Sequence, residues 1–276
     1  MKIVVSDGRE RMIMNQKITL IYNTCDKYEC LWKGFFTLLK RYWEGVEKYT
    51  IILNTEQKEF SFGDLKIRRP KKVSKDVSWS QRILNSLQCV ETPYVLMMLD
   101  DFYLKAPVNC KALSKDVLRM EKENNIKTIT YAWQPGPNKS DVGNALYERR
   151  GRFAPYRVNA QIALWRVEYL KDILRSYENP WQFEISGSFR SSLKRGTLLS
   201  LKKDSPKVFS YDYGFLIIRG KVNRKLLNYF QKIENLQLEF PFEDYVETKT
   251  SNFKQKGRTF RLMNYAMEMF ISLFKK

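Results

Sequence analysis

The spacing of apolar residues in this chain switches repeatedly between a period of two and a period near 3.6. Lys17-Ile-Thr-Leu-Ile-Tyr-Asn23 and Tyr49-Thr-Ile-Ile-Leu-Asn54 are short apolar runs rich in β-branched and aromatic residues, which predicts strands. Between them Leu31, Trp32, Phe35, Phe36, Leu39 and Trp43 recur at helical spacing, the pattern of a core-facing stripe. The alternation goes on with Leu65–Arg68 as a short strand and Trp79–Val90 as a helix capped by Ser78. Tyr94–Leu99 follows as a buried strand entered from Pro93, then Leu113–Asn125 as a helix and Thr128–Trp133 as a strand. Asn159–Trp165 predicts another strand and Glu168–Tyr177 a short helix that Asn179-Pro180 breaks, with Trp181 opening a new one. Phe209–Ile218 reads as a strand pair or hairpin ended by Arg219-Gly220-Lys221, and Gln134–Pro155, rich in Gly, Pro, Asn and Arg, as a long loop. Strands alternating with helices predict an α/β layered fold around a mostly parallel central sheet.

The ends of the chain depart from this pattern. Residues 1–16 form a weakly patterned leader, 17–235 a single α/β domain, and 236–276 a basic amphipathic segment that gives a helical appendage. In that last segment Phe260, Met263, Met267, Phe270, Ile271 and Phe274 share one helical face, flanked by Arg258, Arg261, Lys275 and Lys276. Two readings fit it: a helix lying in a membrane interface, or a terminal helix docked on the protein's own core. No apolar stretch reaches the roughly 18 residues of a transmembrane helix, and the N-terminus lacks a basic region followed by an apolar core. The expectation is a cytoplasmic protein, peripheral at most on the inner face of the cell membrane.

Charge narrows the partners. The net charge is +19, which favours anionic partners such as phosphorylated ligands, anionic lipid or nucleic acid. The chain has no histidine, which removes Ser-His-Asp and Cys-His triads, His-ligated zinc and imidazole bases, and leaves acid–base work mainly to Asp, Glu, Lys or Tyr. Cys25, Cys30, Cys89 and Cys110 match no zinc or redox spacing and read as buried free thiols in a reducing compartment.

The candidate chemistry centres on Asp100 and Asp101, which end the apolar run Tyr94–Leu99. Ligands of open α/β sheets bind beyond the carboxyl ends of strands, and paired carboxylates there can hold a divalent cation together with phosphate. A strand end followed by an ordinary Asp turn is the plainer alternative.

Set in order, several motifs resemble those of bacterial GT-A-type glycosyltransferases of capsule, exopolysaccharide and lipopolysaccharide synthesis, family 2-like. They are Thr24-Cys25-Asp26-Lys27-Tyr28 after the first strand, the aromatic helix ending in Tyr42-Trp43, and Trp79-Ser-Gln-Arg82. Then come Glu91-Thr-Pro-Tyr-Val-Leu-Met-Met-Leu-Asp-Asp-Phe102, Gln161-Ile-Ala-Leu-Trp165 and Asn179-Pro-Trp-Gln-Phe-Glu184. The resemblance spans Lys17–Lys221. It implies a GT-A-like, Rossmann-related domain that moves a sugar, as a hexosyltransferase does, from a nucleotide-sugar donor to a glycan or polyprenyl-linked acceptor. On that reading Asn23, Thr24, Asp26, Trp79, Arg82, Asp100, Arg219 and Lys221 bind the donor. Asp101 and Asp100 hold Mg²⁺ or Mn²⁺, Asp101 takes part in the chemistry, and Glu184 is the base of an inverting transfer. Trp181 and Trp165 shape the acceptor pocket or simply pack, and Glu184 is otherwise a helix-start acid favoured by the helix dipole. The acids here are adjacent where the family has Asp-x-Asp, and the histidine some relatives add to the metal is missing, so Arg219 and Lys221 are an alternative partner for the diphosphate. Two other classes fit parts of the sequence. A nucleic-acid-binding protein fits the charge, although the cations are spread along the chain. Another metal-dependent phosphoryl or nucleotidyl transferase fits the acid pair, although GxxxxGK[ST] is absent.

Overall fold

The computed structural model describes residues 14–133, 138–140, 144–212, 215–218, 220–241 and 245–246. The rest of the leader, Arg219 and the amphipathic segment Gly257–Lys276 lie outside the described residues. Among the described residues nine strands build the main sheet: β1 (Ile18–Asn23), β2 (Thr50–Asn54), β3 (Lys66–Arg68), β4 (Tyr94–Leu99), β5 (Ile126–Thr130), β6 (Asn138–Ser140), β7 (Tyr147–Arg150), β8 (Ala163–Arg166) and β9 (Thr197–Leu201). They lie in the order β3-β2-β1-β4-β8-β5-β9-β7-β6. Seven strands run in one direction; β8 and β7 run against them, so the sheet is mostly parallel. Three short strands, β10 (Ile217–Ile218), β11 (Lys221–Asn223) and β12 (Tyr245–Val246), form a second sheet.

The period of two explains the layers. Along β1 and β4, Ile18, Leu20, Tyr22, Tyr94, Leu96 and Met98 face one core, while Ile21, Val95 and Met97 face the other. Helices α1 (Glu29–Tyr42) and α3 (Cys110–Lys122) cover the first face. Helices α2 (Trp79–Gln88) and α4 (Val167–Ile173) cover the second. Ser78 caps α2 as expected, its hydroxyl accepting from Gln81 N.

Beyond α4 the chain turns into one continuous helical run. It comprises α5 (Pro180–Gln182), a π-helical stretch Phe183–Gly187 and α6 (Ser188–Leu193). Asn179 opens it with a reciprocal capping box to Gln182. Helix α7 (Arg224–Lys232) ends the described helices, capped by Asn223.

Some sequence expectations need correction. The stretch Gln134–Pro155 is not simply a loop, since β7 pairs with β9 and β6 pairs with β7 there. Strand β9 and helix α7 fall where no element was expected. The described residues of Phe209–Ile218 yield one bridge, Leu104 to Tyr211, before β10, and Gly220, at φ 80°, precedes β11 in a conformation suited to glycine. The cysteines are free, but Cys89 is exposed and the other three are half-buried, so none is a core thiol. Among the described residues no helix is long and apolar enough to cross a membrane.

Candidate active site

The carboxyl ends of β1, β2 and β4 converge, because these strands are parallel and adjacent. Just past β1, Thr24 donates its hydroxyl to Asp100 Oδ2 at 2.5 Å and accepts from Trp32 Nε1 at 2.9 Å. Arg82 on α2 reaches the same corner: its Nη1 donates to the Thr24 carbonyl at 3.1 Å and meets Glu56 Oε1 at 2.5 Å. Glu56 in turn accepts from Asp26 N at 2.6 Å, and the Asp26 carboxylate accepts from Gln57 N and Lys58 N. The loops after β1 and β2 are thereby laced into one rigid wall.

This wall borders an open cleft of about 580 Å³ lined by Cys25, Asp26, Glu56 and the lysines Lys27, Lys58, Lys72 and Lys75. Lys72 and Lys75 come from the segment between β3 and α2, a basic run whose partner surface is invisible until the chain folds.

Asp100 and Asp101 stand where β4 ends. Burial pushes Asp100 up to about 7, against a hydrogen bond from Thr24 and the charge of Arg82, which act to lower it. Asp101 is held well above the usual carboxylate range by burial and then by the charge of Asp100 beside it. Two carboxylates plus phosphate oxygens are the donor set Mg²⁺ accepts, so the pair fits an ion that arrives with a diphosphate. It does not fit an all-protein cage, because among the described residues no group of three His, Cys, Asp or Glu could hold a metal. The Cys25 thiol is pushed up to about 11, first by burial and then by Asp100, and stays protonated.

Glu184 sits in the π-helical stretch, a distortion that recurs at functional sites. Its Oε1 accepts from Ala160 N at 3.0 Å. Strand β8 runs antiparallel to β4, with Ala163 opposite Met97, so the segment that enters β8, Ala160 included, lies at the end of the sheet where β4 finishes. Glu184 therefore belongs to the same rim as the acid pair. Burial raises its pKa, offset in part by the Ala160 hydrogen bond. Beside it, Phe153, Tyr156, Ile185 and Phe189 line an apolar cleft of about 290 Å³.

The remaining sequence candidates scatter. Asn23 is buried and accepts from Asn54 Nδ2 at 2.6 Å, a link within the sheet rather than toward a ligand. Trp79 packs on Phe183 at 5.4 Å in the second core. Trp165 has no exposed surface and packs against Phe183, so it cannot line an acceptor pocket. Trp181 is 72% exposed and available. Lys221 is exposed at the start of β11 and is not among the residues that line the cleft beside the β1–β4 corner, and Arg219 lies outside the described residues. Glu56, Lys72 and Lys75 were not expected from sequence.

No protein-family model matches the chain, and no curated protein matches it. Similar solved structures include S. aureus TarS 1-349, at 14% identity over 68% of this chain and 59% of that chain, with a TM-score of 0.45. The same TarS 1-349 in complex with UDP-GlcNAc matches at 14% identity over 71% and 58%, TM-score 0.45. The mannosyltransferase PcManGT from Pyrobaculum calidifontis, in complex with GDP-Man and Mn²⁺, matches at 11% identity over 69% and 57%, TM-score 0.45. The chain spans less than two thirds of the length of these structures, and the likeness concerns the fold.

Proposed function

We propose that the chain is a glycosyltransferase that moves a sugar from a nucleotide-sugar to a glycan or lipid-linked saccharide acceptor of cell-surface polysaccharide synthesis. The observation that carries this reading is the shared rim: a half-buried acid pair at the end of β4, with Asp100 tied to Thr24 just past β1, and Glu184 bonded to the segment that enters β8, the neighbour of β4.

The donor's nucleotide lies along the wall of Thr24, Cys25 and Asp26, and Lys27, Lys58, Lys72 and Lys75 balance the charge of its diphosphate. Asp100 and Asp101 face the sugar and diphosphate. The two carboxylates would hold a Mg²⁺ or Mn²⁺, which would supply charge neutralisation of the leaving diphosphate. Glu184 accepts the proton of the acceptor hydroxyl while its oxygen bonds to the anomeric carbon and the carbon–oxygen bond to the diphosphate breaks, an inverting displacement. Burial keeps Glu184 more basic than an exposed carboxylate, which suits this role. The apolar cleft beside it, with Trp181 nearby in sequence, receives the acceptor.

The test is transfer and hydrolysis with a panel of UDP-, GDP- and CMP-sugars, comparing wild type with Asp101→Ala and Glu184→Gln. The reading expects one nucleotide class to be turned over and both variants to lose that turnover. Full activity in both variants would remove the site assignment.

A further inference from the structure

At the opposite edge of the main sheet, the loop after β7 and the turn between α6 and β9 enclose a cleft of about 600 Å³. Arg149, Arg150, Arg152, Arg157, Lys194 and Arg195 line it, and no carboxylate among the described residues does. Arg150 and Arg157 are buried. Arg157 donates to the carbonyls of Arg150, Gly151 and Gly196 and to Ser191 Oγ, and Arg150 donates to the carbonyls of Pro155 and Tyr156. Burial and the charge of Arg157 pull Arg150 down to about 10. Glu148 acts on Arg150 but is itself bonded to Asn138, and Asp172 pairs with Lys194 at 2.6 Å. Among the described residues the lining of this cleft is therefore strongly cationic.

The same two segments carry exposed apolar side chains. Phe153 is 76% exposed, Leu193 52% and Tyr156 49%. Arg152 joins the two features, since its Nε donates to the Ser192 carbonyl at 2.6 Å and its guanidinium lies 5.7 Å from the Phe153 ring. Cations beside aromatic and aliphatic side chains open to solvent are the pairing that an anionic bilayer surface accepts. A soluble phosphate compound would engage the cations alone.

We propose that this edge docks on an anionic membrane, with a lipid phosphate seated in the cationic cleft and Phe153, Tyr156 and Leu193 set into the interfacial layer. The docking uses no residue of the β1–β4 corner; Phe153 and Tyr156 also line the apolar cleft given to the acceptor, so its test reads vesicle binding and not transfer.

The test is co-sedimentation of the full chain with phosphatidylcholine vesicles, with and without phosphatidylglycerol. The paired change Arg152→Glu, Arg195→Glu is expected to lower binding to the anionic vesicles by at least about tenfold, through loss and reversal of two surface cations. The paired change Phe153→Ala, Leu193→Ala, which alters no charge, is expected to lower it by about tenfold. A control with the same change in net charge, Lys33→Glu with Lys122→Glu on the helices of the other face, is expected to change it less than about threefold. If the control falls as far as the cleft variant, the attraction belongs to the whole charged surface and the docking site is wrong. If the apolar pair has no effect and inorganic pyrophosphate displaces the chain from the vesicles, the cleft is a site for soluble phosphate and the membrane assignment falls.

Discussion

The Thr24 hydroxyl bridges Asp100 and the indole of Trp32, donating to the first at 2.5 Å and accepting from the second at 2.9 Å. One small side chain thus satisfies a buried donor and holds a half-buried acid at the junction of β1, β4 and α1. Thr24→Val keeps the shape and removes both bonds. Leaving buried polar groups unpaired costs about 1–3 kcal/mol, so urea unfolding should show Thr24→Val less stable by about 2 kcal/mol. Thr24→Ser, which keeps the hydroxyl and loses a methyl, should lose less than about 1 kcal/mol. Equal losses in the two variants would mean that the methyl, and not the bridge, matters.

The half-buried acid pair sets a pH dependence of stability. Asp100 is raised from its ordinary 3.8 to about 7 in the folded chain, and Asp101 is raised as well. Between these values the unfolded chain has released the proton and the folded chain still holds it. The folded state then binds more protons, and stability falls as pH rises. The contribution is complete below about pH 4 and is lost on passing through about pH 7. Asp100→Asn, whose carbonyl still accepts from Thr24, should flatten that slope in urea midpoints measured across this window. An unchanged slope would assign the dependence to other groups.

The sheet's centre was legible from sequence for a simple reason. Strands β1, β2 and β4 are buried on both faces, so they read as unbroken apolar runs. The edge was not. In β7 only Tyr147 and Arg150 are buried, and a buried arginine carries no strand signal, while Thr197–Leu201 is short and has one β-branched residue. Helix α7 does carry a signal, the Asn223 cap with Leu226, Leu227 and Phe230 at helical spacing. At the site, Asp100 and Thr24 stand at strand ends and were visible as such. Glu56, Lys72 and Lys75 enter only through the pairing of β2 with β1 and the path of the chain into α2. Trp165 alternates into the second core because Ala163 does, a consequence of β8 lying antiparallel between β4 and β5. Sequence spacing alone does not reveal that register.

A buried ion pair ties the segment carrying Glu184 to the body of the domain. Glu178 Oε2 and Arg190 Nη2 are 2.6 Å apart, with both side chains 1% exposed. Arg190 also donates to the Ile173 carbonyl from two nitrogens. Removing one partner leaves an uncompensated buried charge, so Arg190→Met should cost about 3–5 kcal/mol in thermal or urea unfolding. The double change Glu178→Met with Arg190→Met should recover much of that loss, since no charge is then left buried. A double variant as unstable as the single one would show that the bonds to Ile173, and not the ion pair, dominate.

Helix propensity and packing oppose each other at Gly34 in α1. Alanine there gains about 1 kcal/mol of helix propensity. Its Cβ would stand 2.6 Å from both Leu238 Cδ2 and the Tyr103 hydroxyl. Leu238 can rotate away, but Tyr103 donates to the Leu31 carbonyl at 2.6 Å and would forfeit a buried bond by moving. Overpacking of this kind costs about 1–3 kcal/mol, which outweighs the propensity gain. Gly34→Ala should therefore lower the urea midpoint, whereas alanine raising it would show that Tyr103 has room to shift.

The role given to Glu184 makes the sharpest kinetic prediction. In Glu184→Gln the new amide oxygen would still accept from Ala160 N, so the variant should fold and bind donor normally. Without a base, kcat should fall by about 10²–10⁴ while the donor KM stays nearly constant. The wild-type rate should rise with pH as Glu184 ionises, and because burial raises that group, the acidic limb should lie above the ordinary value of 4.5. In Glu184→Gln the limb should vanish. A helix-start acid with a structural role alone would show the opposite: a stability loss in the glutamine variant and a pH profile identical in shape to wild type.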